Sequence, residues 1–167
     1  MFWYYFFNIL TMPGVVVHEL AHALFCLLSG VKIHRIKLFQ FGEVAGFVVH
    51  DEPRNFFQGF FISFGPLIVN SALAIFLFAL FSEPWARFQP WLALWAGVVV
   101  GLHAIPSTGD AKSLLQMANH RFWRNPLVIV AYPLVLILYI LNILKRLHID
   151  IVFVGFLFWL GRFYLKG

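Results

Sequence analysis

The sequence predicts an all-α polytopic membrane protein with about five transmembrane helices and a short β-hairpin after the first core helix. Three observations carry that prediction. Of the 167 residues, 62% are hydrophobic and 11% charged, where a soluble domain carries about 25% charged residues. Apolar runs without a charged side chain recur near the ~20 residues that a hydrocarbon core requires. Between the first two of them lies a stretch of polar and β-branched residues in approximate alternation. The length suits a single integral membrane domain, 1–167, with no second sizeable one.

The elements follow in order. Met1 to Ser29 is longer than one crossing needs, and Pro13-Gly14 kinks it or starts it afresh. The first core helix is expected over 13–29, ending at Ser29-Gly30. Residues 2–12 extend it or lie at the interface, where the cluster Phe2, Trp3, Tyr4, Tyr5, Phe6 and Phe7 suits a headgroup belt. Residues 31–51 read as the hairpin, broken at Gly42, with Val44 to Val49 as its second arm. Uncharged runs predict spans over 56–81 and 91–106. An amphipathic helix is expected from Asp110 to Asn119, then spans over 126–144 and 149–165, the last short enough to be re-entrant.

Composition also excludes partners. The net charge is +5, but the basic residues are scattered between apolar runs, which fits membrane-flanking loops and not nucleic acid. Cys26 is the single cysteine, so no intramolecular disulfide is possible. The N-terminus lacks a basic n-region and is not read as a cleavable signal. With five spans, Lys32, Arg35, Lys37, Arg54, Lys112, Arg121, Arg124, Arg162 and Lys166 share one side, and Arg87, Lys145 and Arg146 the other. The positive-inside rule makes the first side cytoplasmic and puts the hairpin there.

The chemistry concentrates in His18-Glu19-Leu20-Ala21-His22. Glu19 is the only charged side chain from Met1 to Val31. An acidic charge at a helix centre in lipid costs roughly 2.5–3.5 kcal/mol on insertion scales, so such a residue is a functional-site hypothesis by default. On a helix His18 and His22 share a face and can offer two nitrogens to one metal. Glu19, on a neighbouring face, can serve as general base on water activated by zinc. That is the mechanical content of the HExxH pattern; the bland alternative is two packing histidines and a hydrogen-bonded Glu.

A catalytic zinc site usually has three protein ligands. The candidates are Cys26, His34, His50, Asp51, His103 and Asp110. Asp110 is preferred, because it follows a Pro- and Gly-broken helix end, where irregular backbone lines a cavity; its alternative role is a helix cap. Cys26 continues the histidine face but suits packing. His103 is a substrate-positioning residue or the substitute ligand. Asn70, beside Gly65-Pro66, holds a substrate carbonyl or oxyanion, or binds a backbone group freed at the Pro66 kink.

This constellation resembles the site-2 protease family of intramembrane zinc metalloproteases. The matching pieces are His18 to His22, Gly65-Pro66 with Asn70, and Pro106 to Asp110, in that order over about 13–115. The resemblance implies one Zn²⁺ held by His18, His22 and Asp110, with Glu19 as catalytic base, and a site open to the cytosol beside a β-loop. The chain departs from the pattern in having three residues between Gly-Pro and Asn70, His103 where an Asn is usual, and Ala111 after Asp110. It leaves no room for a PDZ or CBS-type domain.

The expected function is therefore zinc-dependent hydrolysis of transmembrane or membrane-anchored proteins, with the hairpin edge taking up an extended substrate segment. The minimal size suits a prokaryotic plasma membrane. Rival readings are a non-catalytic metal-binding protein that regulates partner membrane proteins, a haem or metal carrier using His18, His22 and His103, and a metal-free structural subunit.

Overall fold

The computed structural model describes residues 2–42, 45–81, 89–123 and 125–164. Val44 of the expected hairpin and Arg87, Arg124 and Lys166 of the charge count lie outside the described residues. The chain is mostly helical, with α1 Phe2–Leu28, α2 Phe56–Leu80, α3 Gln89–Leu102, α4 Thr108–Arg121, α5 Pro126–Leu144 and α6 Ile149–Trp159. Strands β1 Ile33–Lys37 and β2 Phe47–His50 pair antiparallel, with Ile36 opposite Val48 and Lys37 opposite Phe47. Among the described residues, three helical stretches are long and apolar enough to cross a membrane: Tyr5–Leu28, Phe56–Leu80 and Pro126–Leu147.

Residues 2–12 extend the motif helix. Pro13 lies inside α1 without ending it, as neighbouring helices allow in a membrane protein. The helix stops where glycine was expected to stop it. Gly30 takes φ 66°, and Val31 N–H donates to Cys26 O at 2.8 Å, which gives an orphan carbonyl a partner. At the start of α2, Asn55 and Gln58 form a capping box, and Gln58 Nε2 donates to Ser29 O at 2.9 Å. The end of α1 is thereby tied to the start of α2.

Helix α2 serves as a ruler for the rest. Toward its C-terminal end, Phe78 packs on Gly97 of α3, and Asn70 bonds Val100 O; toward its N-terminal end, Phe56 clusters with Leu114 and Ala118 of α4. Helices α3 and α4 therefore run in succession down α2, with a break at 103–107. Helix α5 retraces α4: Tyr132 Oη donates to Asn119 Oδ1 at 2.7 Å, and Asn142 Nδ2 to Pro106 O at 3.0 Å. Helix α6 retraces α3, with Val154 and Leu157 beside Gly101, and Gly161 against Phe78.

Two expectations change here. The run 91–106 is helical only to Leu102, because Pro106 has no N–H to offer Leu102 O and disfavours helix at Ile105. The runs 126–144 and 149–165 do not turn back on one another. A 3-10 turn over Lys145–Leu147 and left-handed His148 (φ 56°) separate two helices of the same sense. Lys145 and Arg146 are consequently not on the side away from the hairpin; Lys145 Nζ donates to Ile105 O at 2.8 Å, abreast of the other break. Arg162 lies over Phe81, 5.4 Å from its ring centroid, at the end of α2 far from the hairpin.

Lipid gives helices little hydrophobic reason to associate, so close packing has to do it. Gly14 supplies the closest approach. A Cβ there would fall 2.6 Å from His103 Nδ1 and closer still to Val99 O. The apolar side chains left outside, such as Leu27, Leu28, Val130 and Val152, suit contact with lipid.

Candidate metal centre

His18 and His22 stand one turn apart on α1, both buried, with Nε2 atoms 3.2 Å apart. Their other ring nitrogens are engaged. His18 Nδ1 is 2.7 Å from His103 O, and His22 Nδ1 is 2.9 Å from Ile62 O. A carbonyl only accepts, so each Nδ1 carries the proton, and each neutral ring keeps its lone pair on Nε2. Two backbone carbonyls, Ile62 O in α2 four residues before Pro66 and His103 O in the 103–107 break, thus set the tautomer and tilt of both imidazoles.

Asp110 completes the group. Its Oδ2 lies 3.2 Å from His22 Nε2 and 3.9 Å from His18 Nε2. Asp110 is not the N-cap of α4; Ser107 is, and Asp110 is its capping-box partner, accepting from Ser107 N–H at 3.1 Å and Ser107 Oγ at 2.5 Å. Ligand geometry and capping are compatible, since one carboxylate has about four lone-pair sites.

Two imidazole lone pairs and a carboxylate thus point at one place, with all three donor atoms within 4.8 Å of one another. Three acceptors with no donor between them repel. A cation, or a proton on one Nε2, resolves the conflict, and an N₂O set of this kind fits zinc.

Glu19 is buried beside this group, not within it. It lines a cavity of about 490 Å³ with His18, His103 and Lys145, and a smaller one of about 190 Å³ with His18, His22, His50 and Asp110. The two share His18, Glu19, Gly46 and Ser107, so they form one cleft. Its floor is α1, one wall is the hairpin from Ala45 to His50, and the other is the 103–110 segment. Gly46 lies directly on the Glu19 side chain; a Cβ there would sit 2.7 Å from Glu19 Cγ.

Asn70 is elsewhere. It is fully buried in the helix core, and its Nδ2 faces Val100 O (3.2 Å), His103 O (3.3 Å) and Gly14 O (3.4 Å). It reaches neither the cleft nor a group freed at Pro66, because α1 and α3 close over it. Its contact with His103 O supports the same carbonyl that orients His18. The His103 ring does line the cleft, with Nδ1 donating to Val99 O at 2.9 Å. Cys26 packs with Val31 and Ile62, away from the metal group. His34 pairs with Asp51 at 2.6 Å on the hairpin. Sequence reasoning overlooked Gly46 and Lys145 as cleft residues and named His50 only as a candidate ligand, where the structure places it on the cleft wall.

The Peptidase M50B-like family model matches residues 1–164. The chain belongs to this family. It is the site-2 protease family of intramembrane metalloproteases. Within this Peptidase M50B-like protein the match extends beyond the 13–115 core to α5 and α6. No curated protein and no solved structure matches the chain.

Proposed function

We propose that this protein is a zinc-dependent intramembrane endopeptidase that hydrolyses peptide bonds of transmembrane or membrane-anchored polypeptides. His18, His22 and Asp110 hold one Zn²⁺ per chain. The observation that supports this most directly is the convergence of three acceptor atoms, an Asp110 oxygen and two imidazole nitrogens whose tautomers are set by His103 O and Ile62 O. Zinc in such a set supplies Lewis acidity and water made acidic enough to ionise near pH ~7.

The chain supplies the rest. Glu19 accepts the proton from the attacking water and returns it to the leaving amine. Gly46 above it shields the carboxylate from bulk water and limits its rotamers. A helical substrate hides its carbonyls and must unwind first. The hairpin offers a docking edge for the unwound stretch, since β2 pairs with β1 alone and its residues Phe47, Val48 and His50 line the cleft.

We read the membrane topology as four passes in place of five: α1, α2, α3 with α4, and α5 with α6. Lys32, Arg35, Lys37, Arg54 and Arg121 then gather at the hairpin end, which makes that end and the site cytoplasmic in a prokaryotic plasma membrane. A reporter placed after Tyr164 tests this, since four passes put it outside and five put it inside.

The deciding experiment for the activity is zinc per chain on detergent-purified protein. About one zinc in wild type, lost in His22→Ala and in Asp110→Ala, is expected. Retention in Asp110→Ala would move the third ligand elsewhere. No zinc after reconstitution of wild type would sink the reading.

A further inference from the structure

Lys145 is a cationic side chain of the cleft that the proposed mechanism leaves without a role. It sits in the break between α5 and α6, half-buried, on the wall of the cavity that also holds Glu19, His18 and His103. One of its three N–H bonds is spent on Ile105 O. None of the ion pairs among the described residues involves it; Asp150 and Asp110 act on it from beyond ion-pair distance. An ammonium in a largely apolar cavity without a bonded counter-charge is costly unless something anionic arrives.

A second cavity, about 580 Å³, adjoins the first through Thr108 and Lys145. Its lining includes Lys112, Lys145 and Arg146 with Tyr139, and it contains no Asp or Glu. A row of cations therefore leads away from Glu19 along one end of the cleft. Depth argues against a lipid headgroup as the occupant. The site level on α1 and α2, His22 beside Ile62 and His18 beyond it, is six to ten residues inside Leu28, or about 9–15 Å at 1.5 Å per residue. Headgroups occupy only roughly the outer 5–8 Å on each side of the hydrocarbon. A polypeptide lying in the cleft reaches that depth beside Glu19.

We propose that Lys145, backed by Lys112 and Arg146, is a specificity residue that binds a carboxylate side chain of the substrate polypeptide next to the bond to be cleaved. This rests on the protease reading and adds to it a substrate class: segments with Asp or Glu close to the scissile bond. Among the other donors along the cleft, His18 and His103 are committed through Nδ1 to backbone carbonyls and Ser107 to Asp110.

The test uses the full chain, loaded with zinc in detergent micelles, and two 20-residue Leu/Ala-rich peptides that differ only in three Glu or three Gln residues. Binding is measured on Glu19→Gln protein by fluorescence anisotropy, and cleavage on wild type by mass spectrometry. The Glu peptide is expected to bind and be cleaved at least tenfold better. The preference should fall to near one in Lys145→Gln and survive in Lys145→Arg. Equal or absent binding of the two peptides, or a preference intact in Lys145→Gln, overturns the proposal. Because Lys145 also holds Ile105 O, zinc per chain is measured alongside. Should Lys145→Gln lose zinc, the double variant Lys112→Gln/Arg146→Gln decides, and an undiminished preference there overturns it. Cleavage without preference removes Lys145 and leaves the protease reading; preference in binding without any cleavage removes the protease reading and leaves the recognition site.

Discussion

The two parts of the chain that supply the metal group are built in opposite ways. His18 and His22 lie on one regular helix, where i and i+4 spacing puts both rings on one face, with Nε2 atoms 3.2 Å apart. Asp110 comes from a segment that follows five residues outside any helix, 103–107, three of whose carbonyls are held by distant partners. Asn70 and His18 meet His103 O, Lys145 holds Ile105 O, Asn142 holds Pro106 O, and Ser107 caps α4. One half of the site is local geometry, and the other is a consequence of how four helices pack. Substitutions should separate the two.

The largest effect is expected within the helical half, and it splits by role. Glu19→Gln should lower peptide-bond cleavage by about 10²–10⁴-fold, the usual scale for a lost general base, while zinc stays bound. His18→Ala should remove both. Zinc content and turnover measured on the same preparations distinguish them; a Glu19→Gln protein without zinc would mean that Glu19 is a ligand after all.

Next comes the packed half, tested without touching a ligand. Asn142→Leu keeps the helix but frees Pro106 O, and should weaken zinc affinity by about 10–100-fold, as loss of an outer partner of a metal site does. Competition against a chelator reads this. Unchanged affinity would mean that the 103–107 segment holds its shape from α3 and α4 alone.

The glycines give a smaller, steric contrast. Gly14→Ala forces α1 and α3 apart at His103 and should cost about 1–3 kcal/mol in resistance to unfolding. Gly46→Ala pushes the hairpin off Glu19 and should slow turnover with little change in thermal unfolding. Equal melting shifts for the two would show that the hairpin contact is structural.

The smallest effect belongs to the hairpin surface. His34 beside Asp51 holds that carboxyl below its ordinary value. Its contribution is therefore fully present above the ordinary carboxyl value and lost as pH falls through the lower folded one. Both side chains are exposed and screened by salt, so Asp51→Asn should barely move the unfolding midpoint at neutral pH. A large shift would mark the pair as a hinge of the cleft wall.

Much of this molecule is determined by neighbours in sequence. The apolar runs, the Gly30 stop, the alternation of the hairpin and the HExxH turn each depend on residues a few positions apart, and periods of 3.6 and 2 expose them directly. What only the tertiary structure decided are contacts between residues 30 or more positions apart. They close the core over Asn70, bring Asp110 to His22, and turn α6 onward from α5 so that Lys145 faces Glu19's cavity. Hydropathy is blind to that last turn, because an apolar helix reads the same in either direction, and it is the break at Lys145–His148 that sets which way α6 goes.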